Sequence, residues 1–597
     1  MGRKSLFIAA LALIVSAALF FVARGMRDGE GSHARQGFVQ RQGARFVIDG
    51  RPFRFVGANV AVMYRDEDRA RMPETLRAAA ASGMRVVRVW ASGEGGPNDV
   101  RPVADFRDWP RTHPFRWSPG EWNEEQFVHL DRVLAEAARN NLRVQLTLTN
   151  WWRDTGGVTQ YLRWAGIGDA ADDRAPFGIN VERAMLFYTN QETRRLYREH
   201  VERIVTRRNT VTGVLYTDDP TILGYELMNE AQAPTGRTAE RRAWVAEMSA
   251  YVKSLDPHHL VVPGVWGYRN SFERREWLAE HALPDIDYCD VHNYPRDDLD
   301  SFVDSPEALR EFVDNRAAAA FSLNKPLVFG EFGMGAEGYN GVSETAWFRV
   351  FFESAARAGA SGAMFWIWTP DEQRGYGVAY GSPRDEQVRA EIMNASKLFA
   401  SDAEPPRQLL DAGRHLVPRQ FAFTRAAADP ALRPELSSRA DGSLLFRFAP
   451  EQAASARFEK LGGGEGYIWG AGVGQVEYLV PALGQRRSLG SLTVRAHLQP
   501  VLPHDARGRV TTTRITLLVN DVDCGSRLVP KEDEQQPLIQ QWRVDTFRVR
   551  LRARRGQPIS IRFAVKAEAD QPFGVNISNW PEGYDARGTK PVEVEVR

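Results

Sequence analysis

Apolar residues come in short unbroken blocks along the first two thirds of the chain. Each block gives way to a polar loop and then to a stretch of helical spacing. The blocks are FRFVGANV (53–60), RVVRVWA (85–91), RVQLTLTN (143–150), ILGYEL (222–227), LVVPGV (260–265), YCDVHNY (288–294), PLVFGE (326–331) and GAMFWIW (362–368). Between and after them, helices are predicted over 73–82, 124–140, 191–208, 238–255, 306–323, 343–358 and about 384–401. FVIDG (46–50) reads as a hairpin strand ahead of this repeat. Continuous apolar strands joined by helical crossovers imply a parallel sheet covered on its outer face. Eight such units predict an α/β fold, a (β/α)₈ TIM barrel, over residues 38–401. An open doubly wound sheet would need a glycine-rich phosphate turn after its first strand, and GANVAVMY (57–64) is no such turn.

Beyond residue 401 the pattern changes. DAEPPR (402–407) opens a linker, taken as 402–436. Short alternating strands follow: SLLFRFAP, SLTVRAHL, RITLLVND, FRVRLRA, ISIRFAV and VEVEVR. They predict a C-terminal all-β sandwich domain over 437–597, either a carbohydrate-binding module or a bracing domain. Tyr467, Trp469, Trp542 and Trp580 are its candidate sugar platform. At the other end, residues 5–23 are uncharged and almost wholly apolar, with basic residues on both sides. At about 1.5 Å per residue such a helix spans close to 30 Å, one bilayer core. Residues 1–27 are therefore read as an uncleaved signal anchor in preference to a cleaved signal peptide, with 28–37 a polar spacer. Either form exports the protein: anchored to the membrane facing outside the cytoplasm, or periplasmic or secreted.

A barrel of this kind keeps its chemistry at the C-terminal ends of the strands. Two carboxylates fall there: Glu230, after Asn229 at the end of the fourth block, and Glu331 at the end of the seventh. The same register brings Asn59, Arg88, Asn150, His292, Tyr294 and Trp366 to that end. Burying a carboxylate without a partner costs several kcal/mol, so two at one barrel mouth call for a chemical reason. Paired carboxylates are what glycoside hydrolysis requires: one to protonate the leaving oxygen, the other opposite it. Asp290 and His292 flank Val291 in metal-ligand fashion but lack a third ligand, and no Gly-x-Ser-x-Gly elbow supports a nucleophilic serine. With 77 Lys+Arg against 76 Asp+Glu, whole-chain charge gives no reason to expect nucleic acid. The 16 Trp and 16 Tyr supply flat faces suited to sugar rings. Cys289 and Cys524, the only cysteines, fall in different predicted domains and are expected to stay unpaired.

The motifs NWWRDTGGVTQYLRWAG, FYTNQETRRLYREHV, DDPTILGYELMNEAQ, DVHNYP and KPLVFGEFG resemble glycoside hydrolase family 5, and within it the endo-β-1,4-mannanases, over about residues 38–400. The resemblance implies that Glu230 is the general acid/base and Glu331 the nucleophile of a retaining double displacement. It implies that Asn229 bonds the sugar 2-hydroxyl, that Arg88 and Tyr294 orient Glu331, and that His292 sits by the acid/base. Trp366 would floor the subsite that holds the reacting sugar, with Asn150 and Trp152 among the substrate-binding residues. The expected partner is a β-linked polysaccharide or oligosaccharide of the mannan type, with no cofactor and no metal. A related endo-β-1,4-glucanase, an exo-acting β-mannosidase and a non-catalytic polysaccharide-binding envelope protein are the alternatives. The chain departs from the mannanase pattern at Trp151, where a second Asn is usual, at Asn293, and in the run Ile367-Trp368-Thr369.

Overall fold

The computed structural model describes residues 36–597 except 97–112, 173–177, 235–236, 269–270, 296–302, 373–374, 402–403, 413–420, 428, 459, 465–466, 484–490, 501–511, 531–538, 546–556, 566–573 and 579–590. The apolar segment 5–23, the strand FRVRLRA and Trp580 lie outside the described residues. Among the described residues no helix is long and apolar enough to cross a membrane.

Eight strands form the core: β1 Phe55–Val60, β2 Val86–Trp90, β3 Arg143–Thr147, β4 Ile222–Glu226, β5 Leu260–Val262, β6 Cys289–Asn293, β7 Leu327–Phe332 and β8 Gly362–Thr369. A helix follows each: α1 Met72–Ala81, α2 Glu124–Arg139, α3 Gln191–Val205, α4 Thr238–Leu255, α5 Ser271–His281, α6 Pro306–Ser322, α7 Glu344–Arg357 and α8 Glu386–Phe399. The strands are parallel in the order β5-β4-β3-β2-β1-β8-β7-β6. Across the β5–β6 seam, Asp287 N–H donates to Val261 O and His292 N–H to Trp266 O, both at 2.8 Å. The result is a nearly closed (β/α)₈ barrel.

The predicted helices stop within about a turn of their expected ends, because the chain marks them. Ser305 caps α6 through the Ala308 N–H, with Pro306 in the first turn where its missing donor costs nothing. Asn190 accepts from Glu192 and Thr193 N–H at the start of α3. Helix α5 was not predicted. Its sequence carries few apolar residues, and polar ties help to hold it: Trp277 donates to Asp290 O, His281 Nε2 pairs with Asp290 Oδ1, and Arg241 on α4 donates to both oxygens of Glu280.

The N-terminal strands Val39–Gln42, Arg45–Ile48 and Arg51–Phe53 form a small antiparallel sheet. Its Val39, Phe46 and Phe53 pack with Phe55, Val86, Leu223, Leu260, Val262, Tyr288, Val328 and Met364. This apolar cluster fills the barrel interior at the starts of the strands. The polar interior lies at the other end.

The C-terminal region forms two antiparallel sheets sharing one apolar core. Their alternation is plain in Ile559–Val565, where inward and half-exposed residues alternate over the first half. Thr512–Val519 and Val522–Pro530 are joined by Asn520 and Asp521, both at positive φ, as a tight hairpin demands. Phe421–Thr424, within the stretch read as linker, already pairs with Ser455–Phe458. Trp542, one of the candidate platform residues, is not on the surface. It is 1% exposed, packs against Phe563 and donates to Gly525 O.

Candidate active site

The barrel mouth is organised by Arg88, the middle residue of β2, which is fully buried. A guanidinium has five N–H groups, and each of those of Arg88 has an acceptor. Nε donates to Glu226 Oε2 at 2.6 Å. Nη2 donates to Glu226 Oε1 and Asn229 Oδ1, both at 2.7 Å. Nη1 donates to Asn59 Oδ1 and Glu331 Oε1, both at 2.6 Å. Four strands, β1, β2, β4 and β7, are tied together by one cation.

Glu331 lies on β7 and is 4% exposed. Besides Arg88, it accepts from Tyr294 OH at 2.5 Å on Oε2. Glu230 follows β4 in the left-handed region, φ 49°, a conformation that costs a non-glycine residue of order 1–3 kcal/mol. Backbone bonds on both sides hold it there: Asn229 N–H to Thr149 O at 2.9 Å and Ala231 N–H to Gly264 O at 3.0 Å. The turn aims the Glu230 side chain at the mouth, where Oε2 accepts from Trp152 Nε1 at 2.6 Å and Oε1 meets His292 Nδ1 at 2.8 Å. His292 Nδ1 is also 3.6 Å from Glu331 Oε2. A single imidazole nitrogen therefore stands between the two carboxylates.

Asn229 donates from Nδ2 to Asn150 Oδ1 at 3.0 Å. Asn150 in turn donates to Asp154 Oδ1 at 2.8 Å and accepts from Trp152 N–H. The amide orientations of both asparagines follow from these partners. Trp366, on β8, is half-buried, edge-on to Trp90 at 6.0 Å, and its peptide bond to Ile367 is cis. All ten residues that the sequence brings to the site, Asn59 among them, thus stand at one end of the barrel. Trp151, where the mannanase pattern has Asn, is instead core: it stacks on Tyr188 at 5.8 Å.

Burial pushes Glu331 up, and the charge of Glu230 adds to the rise. His292 and Arg88 pull the other way without cancelling it. Burial also pushes Glu230 up, but His292 and Trp152 outweigh it and hold this carboxyl below the ordinary range. Burial opposes the imidazolium of His292, yet the two carboxylates overcome it and raise this group to about 9. His292 is therefore held in its protonated form through neutral pH, an imidazolium beside the two carboxyls. Their ligand atoms lie within 4.8 Å of one another. By spacing alone they could cradle a cation, but the guanidinium 2.6 Å from Glu331 already supplies the positive charge there.

Asp290 does not join this group. The register shifts between Val291 and His292, a bulge that breaks the rule that alternate residues share a face. His292 turns into the mouth, while Asp290 pairs with His281 on α5, outside the barrel.

Sequence reasoning missed Glu226, Gln145 and Thr147. Gln145 Nε2 and Thr147 Oγ1 donate to Glu226 Oε2 at 2.8 and 3.0 Å. The available signal was Glu226 itself, a lone acid inside the apolar run ILGYEL. It also missed Tyr376, whose ring packs on Tyr294 at 4.9 Å.

The family model described as GH family 5 β-mannosidase-like matches residues 36–369. The mannan endo-1,4-β-mannosidase 1 of Oryza sativa subsp. japonica is 32% identical over 448 residues, 68% of this chain and 96% of its own. Among solved structures, a glycoside hydrolase family 5 mannosidase from Rhizomucor miehei superposes with a TM-score of 0.52 at 25% identity, covering 61% of this chain and 99% of that one. The endo-β-1,4-mannanase from Thermotoga petrophila matches in fold at a TM-score of 0.50 and 20% identity, over 84% of this chain and 93% of its own.

Proposed function

The chain belongs to the GH family 5 β-mannosidase-like glycoside hydrolases, and on that premise we propose that it cleaves β-1,4-mannosidic bonds in mannan-type polysaccharides with retention of configuration. The observation that carries the reading is the closeness of Glu230 and Glu331, with carboxylate oxygens within 4.8 Å and His292 Nδ1 between them. An inverting pair needs about 6.5–9.5 Å to hold its water, whereas a retaining pair sits at about 5–5.5 Å.

In this reading Glu331 attacks the anomeric carbon as the bond to the leaving oxygen breaks. Glu230 gives that oxygen a proton, drawn along the 2.8 Å bond from His292. A glycosyl ester on Glu331 results. Glu230 then takes a proton from water as the water attacks the same carbon, releasing the sugar and freeing Glu331. Arg88 and Tyr294 carry the charge that returns to Glu331. Asn229, with one Nδ2 hydrogen fixed by Asn150, offers the other to the sugar 2-hydroxyl. Trp366 gives the ring a flat face, and Trp152 and Asn150 frame the acid/base side. The segment 5–23 exports the protein, anchored or released, so that it meets its polysaccharide outside the cytoplasm.

Turnover on mannan, glucomannan and carboxymethylcellulose, followed in parallel with proton NMR of the first-formed anomer, tests the reading. Release of β-anomers from the first two substrates is expected. No turnover on any of them, or α-anomer appearing first, overturns it, and turnover on carboxymethylcellulose alone identifies a glucanase.

A further inference from the structure

Arg88 meets two carboxylates in unequal ways. Glu226 takes the guanidinium edge-on, through Nε and Nη2 together, the strongest geometry available to an arginine–carboxylate pair. Glu331 receives one N–H only, from Nη1. The side chain that holds the stronger bond has no place in the reaction, since it lies below the mouth, 1% exposed.

The protein builds a cradle around Glu226. Oε2 accepts not only from Arg88 but from Gln145 and Thr147 on β3. Gln145 is itself oriented by Tyr288 OH, which donates to its Oε1 at 2.8 Å and leaves the amide N–H₂ facing Glu226. On the far side Gly264, at φ +79°, has no side chain. A Cβ there would fall 2.7 Å from Glu226 Oε1 and 1.8 Å from Met228 O. Arg88 has no spare donor with which to grip Glu331 a second time.

We propose that Glu226 is a positioning residue: it fixes Arg88 and takes up most of its charge, so that Glu331 is oriented by one guanidinium N–H yet stays nucleophilic. A carboxylate clamped by both N–H groups of an arginine edge would be a weaker nucleophile and a better leaving group. The inference rests on Glu331 being the nucleophile.

The test is the pH dependence of kcat/KM on a soluble manno-oligosaccharide for wild type, Glu226→Gln and Thr147→Val. Losing the Glu226 charge leaves Arg88 to Glu331, so the acid limb of Glu226→Gln should move down by about one pH unit. Its kcat should fall at least tenfold with KM nearly unchanged. Thr147→Val keeps the shape of the cradle and removes one donor from Glu226, whose field on Glu331 then grows. Its acid limb should move up by a few tenths of a unit. Acid limbs of both variants coinciding with wild type, or an upward move in Glu226→Gln, overturn the proposal even if activity drops. Should Glu226→Gln not fold, Thr147→Val decides alone: an upward limb supports the proposal and an unmoved limb contradicts it. The wild-type curve guards the premise. Absence of wild-type turnover, or a Glu331→Ala variant as active as wild type, refutes the functional reading and not the role of Glu226.

Discussion

His292 stands 2.8 Å from one carboxylate and 3.6 Å from the other, and in the proposed mechanism its protonation sets the working range of the site. The proposed reaction needs Glu331 ionised and one proton on the Glu230–His292 pair. Glu331 gains a proton on the acid side, above the usual carboxylate value of 4.5, because burial raises it. The pair loses its proton on the alkaline side, where His292 titrates near 9. The kcat/KM profile should therefore be a bell with an alkaline limb near pH 9, the limbs belonging to the coupled group as a whole. In His292→Gln the alkaline limb should shift or vanish; an alkaline limb unchanged in that variant would show that another group holds the proton. At this scale the sequence was legible where a carboxylate ends an apolar run, as Glu230 and Glu331 do. It was not legible where partners lie on other strands: Glu226 meets Arg88 from two strands away in the sheet, and no spacing along the chain records that.

At the scale of the strands and helices, Arg88 is the tie across the barrel mouth, reaching Asn59 beside it on β1, Glu226 on β4, Asn229 beyond it and Glu331 on β7. Removing one partner of a buried ion pair leaves an uncompensated charge and costs about 3–5 kcal/mol. Arg88→Met leaves two such carboxylates, so chemical denaturation should show at least that loss alongside abolished turnover. An undiminished unfolding free energy would show that the strands hold the mouth without it. The strands were readable from apolar blocks, whose length and helical crossovers fix a parallel sheet. The boundaries moved by up to three residues because a strand stops where its last ladder bond stops. Helix α5 escaped because its few apolar residues make no clear stripe, while polar ties such as His281 to Asp290 and Arg241 to Glu280 help to hold it. The bulge after Val291 escaped because alternation in the sequence continues straight through it.

Across the whole molecule, the barrel divides into an apolar plug at the strand starts and a polar mouth at their ends, with the small N-terminal sheet completing the plug. The C-terminal sandwich has its own core, and Trp542 belongs to it. Truncating a buried tryptophan costs about 3–5 kcal/mol. Trp542→Ala should therefore lower the unfolding free energy of the protein by that amount, with retention on insoluble mannan unchanged in the folded fraction. Lost retention at full stability would make Trp542 a binding residue after all. The two-domain order was legible from the switch between unbroken and alternating apolar residues. The start of the second domain was not, because Phe421–Thr424 is a short edge strand in a stretch with the composition of a linker.

The central claim is that Glu331 forms a covalent bond to the sugar while Glu230 handles the proton. A fluorinated β-mannoside with a good leaving group, in which fluorine at carbon 2 slows the second step, should trap that state. Mass spectrometry of the digested protein is expected to find one glycosyl group on the peptide carrying Glu331, lost on slow turnover. A label on Glu230 or on any other residue, or no label from a protein that turns over mannan with inversion, would contradict the account.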